Sequence, residues 1–133
     1  MPHDVTRLTT ARPTALLRLR LFDGAYYLGG YAVECALKAC IAKETKRYEF
    51  PDKKRVDSSY THSLRELVKV AGLEEERLDR ANNDPDFQRH WEVVREWTEQ
   101  SRYQKHLPES ARILLLRASD RHHGVISWIK LHW

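Results

Sequence analysis

The sequence is short of most features that mark a function by themselves. Its two cysteines, Cys35 and Cys40, form no CxxC and no Cys/His run with metal-ligand spacing. Five positions along a helix turn a side chain by about 140°, so the two cannot bridge each other. They read as small core residues in a reducing compartment, and no metal is expected. Glycine and proline number five each, and β-rich stretches are sparse, which disfavours a sandwich or barrel. There is no glycine-rich phosphate loop, no Ser/His/Asp pattern and no supported carboxylate pair. Those absences remove the usual signs of a nucleotide-cofactor enzyme or a triad hydrolase, and no cofactor is expected. The one long apolar run is broken by Glu34 and Lys38, which argues against a membrane span. The first residues lack an apolar signal core, so a cytoplasmic protein is expected.

What is present points to helices. Leu, Ala, Arg, Glu and Lys dominate a chain of 133 residues, a length that fits one domain. Hydrophobic content of 41% beside 32% charge is a globular composition, not a disordered one. A net charge of +4 permits an anionic partner without requiring one.

The stretch Gly24–Lys43, GAYYLGGYAVECALKACIAK, organises the rest. It is too long and too apolar for a strand and reads as a buried central helix. Ala25, Leu28, Gly29, Ala32, Val33, Ala36 and Cys40 make one broad stripe. Tyr27, Tyr31, Glu34 and Lys38 make a second, wetter line at helical spacing. That line fits either a solvated face with an i,i+4 ion pair or the lining of a site.

Around this helix the chain divides by its punctuation. Residues 1–12 are polar and expected to fray. Pro13 opens a first helix to about Phe22, and Asp23 is positioned to cap the central one. Lys43 to Tyr60 reads as a basic loop holding Lys46, Arg47, Lys53, Lys54 and Arg55; a solvated loop and a nucleic-acid contact both fit it. Ser63 and Glu66 form an S-x-x-E capping box for a short helix to Ala71, stopped by Gly72. Glu74 to Asn83 reads as a helical turn or a loop. Asn83–Asp84–Pro85 starts another helix reaching about Ser101, with Phe87, Trp91, Val94 and Thr98 on one face. Pro108 opens the last, Glu109 to Trp133, interrupted by Gly124. The four tryptophans sit at amphipathic spacing and read as core or interface. The expected fold is all-α: an up-and-down bundle of four main helices plus a short extra helix, in a single domain.

Two Arg/His pairs carry possible chemistry. Arg102 and His106 lie four apart at a helix junction. A permanent cation can grip phosphate and an imidazole can move a proton, which together suffice for metal-independent RNA cleavage. They equally suit a pair that solvates a helix end. Arg117 and His122 are five apart and diverge on a regular helix. His122 falls on the apolar stripe and reads as a core histidine, and His122–His123 lacks the spacing of a helical metal site.

The segment AYYLGGYAVECALKACI, with Glu34-x-x-x-Lys38, resembles the HEPN family of small helical domains. His62-Ser-Leu-x-x-Leu, Ala71–Gly72–Leu73, Arg102–Tyr103 and the closing Gly124–Val–Ile-x-Trp128–Ile129 also resemble that family's pattern, in order, from Leu16 to Trp133. The resemblance implies a helical bundle, usually a homodimer. Many members are RNases with an Arg-x4–6-His motif at the start of the last core helix, acting as toxins, in CRISPR-linked defence or in RNA processing. Others pair with a small nucleotidyltransferase or only bind RNA or nucleotide. The junction here, Arg102-x3-His106, is one residue short of that motif; Arg117-x4-His122 has the spacing but lies deep in the last helix. The reading is therefore a binding protein of toxin–antitoxin or defence type with a degenerate Arg/His site. The basic loop and the Tyr27/Tyr31 stripe are its expected contact surface, with Glu34, Lys38 and Tyr103 as further binding residues, and Glu34 and Lys38 are expected to face Arg102. The alternative is an active ribonuclease using Arg102 and His106. Trp128 and Trp133 on the last helix are the expected dimer face.

Overall fold

In the computed structural model, residues 12–47 and 60–133 are described. Their regular structure is all helical, with no strand among them. The axis is α2, Phe22–Arg47, 26 residues long. Its length follows from an apolar run without proline. Ala32, Val33, Ala36 and Leu37 are fully buried or nearly so.

A short helix, α1 (residues 12–18), precedes it. The break comes earlier than expected. Arg20 takes a left-handed conformation (φ 61°), the Leu21 amide donates back to the Leu16 carbonyl, and α2 already begins at Phe22. Asp23 therefore lies inside the first turn and is not the cap. Its carboxylate instead accepts from the His106 amide at 2.5 Å. Leu16 and Leu17 fold back onto the buried cluster of Ala25, Ala111 and Leu115.

After the segment outside the described residues come α3 (Leu64–Val70), α4 (Glu74–Asn83) and α5 (Pro85–Val94). The punctuation holds here. The Ser63 hydroxyl accepts from the Glu66 amide, Gly72 takes φ 73° just after α3, and Asp84 caps α5 through the Phe87 amide. Glu74 to Asn83 resolves into a full helix. However, α5 stops at Val94, not near Ser101. The chain turns through Trp97 into a 3-10 helix, Glu99–Tyr103.

The expected last helix is two: α6 (Pro108–Ser119) and α7 (Val125–Lys130). Between them the Gly124 amide closes a turn onto the Asp120 carbonyl. A Cβ on Gly124 would stand 2.3 Å from that carbonyl oxygen, so only glycine fits. The break puts His122 in solvent, not in the core as the stripe suggested.

The main core joins α2 to α3, α5, α6 and α7, with Trp91, Trp97, Phe87 and Leu37 among its largest members. Trp97 lies against α2 at Gly30, where a Cβ would come within 2.2 Å of its ring atoms. Trp128 is 2% exposed within this core. It fills this core and cannot supply the expected dimer face. Trp133 is half-buried and donates to the Ala36 carbonyl. Among the described residues no helix is long and apolar enough to cross a membrane.

Candidate functional site

The wetter line of α2 builds one face of the molecule. Tyr27 and Tyr31, one turn apart, stack at 6.0 Å between centroids, and Tyr27 also packs on Trp97. The Tyr31 hydroxyl and the Cys35 thiol hydrogen-bond, and this neighbour holds the Tyr31 hydroxyl above its usual pKa. Deeper along the line is Glu34, a carboxylate only 2% exposed.

A buried carboxylate must be paired or it protonates. Glu34 is paired twice. Lys38 Nζ lies 3.4 Å from Oε2, which is the i,i+4 pair read from the sequence. His62 Nδ1 lies 3.0 Å from Oε1. The expected partner, Arg102, makes no ion pair with Glu34 among the described residues; His62 and Lys38 fill the carboxylate instead. His62 arrives from the turn before α3, and its other nitrogen lies 3.3 Å from Glu99 Oε2. It also lines a shallow groove with Arg65, Glu96, Trp97 and Glu99.

Glu99 opens the 3-10 helix that carries Arg102 and Tyr103. Both are exposed, Tyr103 at 78%, and the Arg102 guanidinium stands 5.8 Å over the Tyr103 ring. Their electrostatics converge on Tyr27. Burial pushes the Tyr27 hydroxyl up, the Arg102 charge draws it down, and Glu99, Glu34 and Tyr103 raise it again. Tyr27, Tyr31, Arg102 and Tyr103 thus share one face, with Glu34, Lys38 and His62 beneath and beside it.

His106 points elsewhere. Its ring stacks on Tyr26 at 3.9 Å, nearly parallel, and its Nε2 lies 3.0 Å from the Ser101 carbonyl, to which it donates. It lines a separate cavity with Arg20, Phe22, Asp23 and Lys105. Among the described residues no contact joins it to Arg102. Arg117 and His122 are likewise apart. α6 ends between them; the His122 carbonyl accepts from Arg80, its amide donates to Asp120, and its ring lies beside that of His123.

Of the basic loop, Lys43 belongs to the last turns of α2, while Lys53, Lys54 and Arg55 lie outside the described residues. Among the described residues one group has metal-ligand proximity: Asp84, Asp86 and His123, with donor atoms within 4.8 Å of one another. Asp84 there caps α5, holds His123 Nδ1 at 2.7 Å and faces Arg80 Nε at 3.4 Å. The Arg80 guanidinium beside Asp84 already answers part of its charge, and the group reads as structural.

His62 is the site residue that spacing did not single out. The only signal was its place in the His62-Ser-Leu run, 28 positions from the carboxylate it meets. In comparisons with protein-family models, curated proteins and solved structures, nothing matches the chain.

Proposed function

We propose that this chain is a HEPN-like module, an up-and-down helical bundle working as a cytoplasmic homodimer, that binds single-stranded RNA or a nucleotide. The contact surface is the face formed by Tyr27, Tyr31, Arg102 and Tyr103. The observation that carries the reading is the exposed Arg102–Tyr103 pair beside the stacked Tyr27 and Tyr31. Exposed tyrosines offer bases a stacking surface, and an exposed guanidinium offers phosphate a bidentate grip. Recruitment by a toxin–antitoxin or defence system, with a small nucleotidyltransferase as partner, fits the same surface.

Geometry favours binding over cleavage. RNA cleavage at this junction needs an imidazole and a cation on one ribose–phosphate unit. The His106 ring is held against Tyr26 and the Ser101 carbonyl, while Arg102 stands over Tyr103.

The test is fluorescence anisotropy with a short oligouridine and with ATP, next to a cleavage course on tRNA in EDTA. Wild type is expected to bind RNA without cutting it. Arg102→Ala and Tyr103→Ala are each expected to weaken binding by about tenfold, the scale of a lost phosphate grip or stacked base. His106→Ala is expected to leave binding unchanged. Cleavage lost in both Arg102→Ala and His106→Ala would replace this reading with the ribonuclease. Unchanged binding in both Arg102→Ala and Tyr103→Ala would remove the face from the function.

A further inference from the structure

His62 stands outside the aromatic face yet touches both of its supports. Nδ1 lies 3.0 Å from Glu34 and Nε2 lies 3.3 Å from Glu99. A neutral imidazole has a single N–H. It can donate to one carboxylate, and it then turns a lone pair toward the other. Only the imidazolium donates to both.

The two contacts are unequal. The Glu34 side chain is 3% exposed and fixed on the central helix, while that of Glu99 is 41% exposed. Glu99 is also the first residue of the 3-10 helix bearing Arg102 and Tyr103, whose N-terminal residue Thr98 gives no side-chain cap. The segment is anchored at Ser101, which is buried, and His62 ties its start to α2. The other charges nearby do not replace that tie. Lys38 shares Glu34 from the same helix. In the groove lined by His62, Arg65 and Arg95 both turn to Glu96.

From this geometry we infer that His62 is a positioning residue: bridging Glu34 and Glu99, it holds Arg102 and Tyr103 in the binding face and makes ligand binding there depend on pH. The inference rests on the reading of that face as an RNA site. Its sign follows from the proton count. With the imidazolium, which donates from both nitrogens, the bridge is complete. When the ring gives up that proton as pH rises, one contact is lost and the start of the segment is held less tightly against α2.

The experiment is an oligouridine titration by anisotropy from pH 5.5 to 8.0 at constant ionic strength, using wild type, His62→Gln and Glu99→Gln. Circular dichroism checks that each variant is folded. Backbone amide shifts of Arg102 and Tyr103 are followed over the same range without RNA. Wild-type affinity is expected to fall roughly three- to fivefold as pH rises, the scale of a partly exposed ion pair. Both variants are expected to show no such fall, although the other six histidines remain. The two amides are expected to titrate in wild type and to stay still in Glu99→Gln. A pH slope that survives in His62→Gln overturns the inference, as do amides that do not move in wild type. If RNA fails to bind at every pH, the binding reading fails, and the amide titration alone decides the bridge.

Discussion

At the scale of single residues, the two sharpest tests lie on α2. A methyl at Gly30 would collide with the Trp97 ring, which is 1% exposed and packed on all sides. Overpacking of that kind costs about 1–3 kcal/mol, more than the gain of up to ~1 kcal/mol from replacing glycine by alanine in a helix. Gly30→Ala should lower stability by about 1–2 kcal/mol in urea unfolding. Gly24→Ala is the contrast. Its Cβ would meet only the end of the flexible Leu16 side chain at 3.2 Å, so unfolding should shift little. The difference comes from what faces the glycine, and the sequence alone does not tell Gly24 from Gly30. Glu34 is a similar case. Its pairing with Lys38 was legible as an i,i+4 spacing; its pairing with His62 was not.

Among the helices, the junction of α4 and α5 shows how one side chain holds two ends. Asp84 caps α5 through the Phe87 amide and pairs with Arg80 of α4 and with His123 before α7. Burial pushes its carboxyl up, but the bonds from His123 and Phe87 and the charges of His123 and Arg80 outweigh that and lower it. Donating its hydrogen bond to Asp84 raises His123 in turn. A raised imidazole contributes stability below its unfolded range near 6.5, lost as pH climbs through its folded value. A lowered carboxyl contributes above its unfolded range near 3.8, lost as pH falls through its folded value. The pair should therefore help most between about pH 4 and 6.5. Thermal unfolding of wild type against His123→Gln should show the largest gap in that window and a narrowing gap at pH 3 and pH 8. Asp84→Ala also removes the cap and should cost about 1–2 kcal/mol in urea unfolding at pH 6. A loss within error would mean that the cap contributes nothing.

Across the whole molecule, Cys40 reports on the core. It is 4% exposed, its thiol lies 3.9 Å from the Ile129 carbonyl, and burial pushes its pKa up to about 11. Since the thiolate is the reactive form, native alkylation near pH 8 should be slow and should accelerate with denaturant in step with global unfolding. Alkylation that ran ahead of unfolding would mean that α7 opens separately from α2. The sequence by itself determined the all-helical class, the central helix and several boundaries, at Ser63, Gly72, Asp84–Pro85 and Pro108. Those signals lie within a turn or two of chain, and backbone hydrogen bonding reads them locally. Only the tertiary structure decided that α5 stops at Val94 so that Trp97 can reach Gly30, and that the last helix breaks at Gly124. It also decided that His106 stacks on Tyr26 while Arg102 turns to Tyr103, and that His62 meets Glu34. These outcomes depend on side chains brought together from distant parts of the chain. Close packing selects among such pairings, and residue spacing does not.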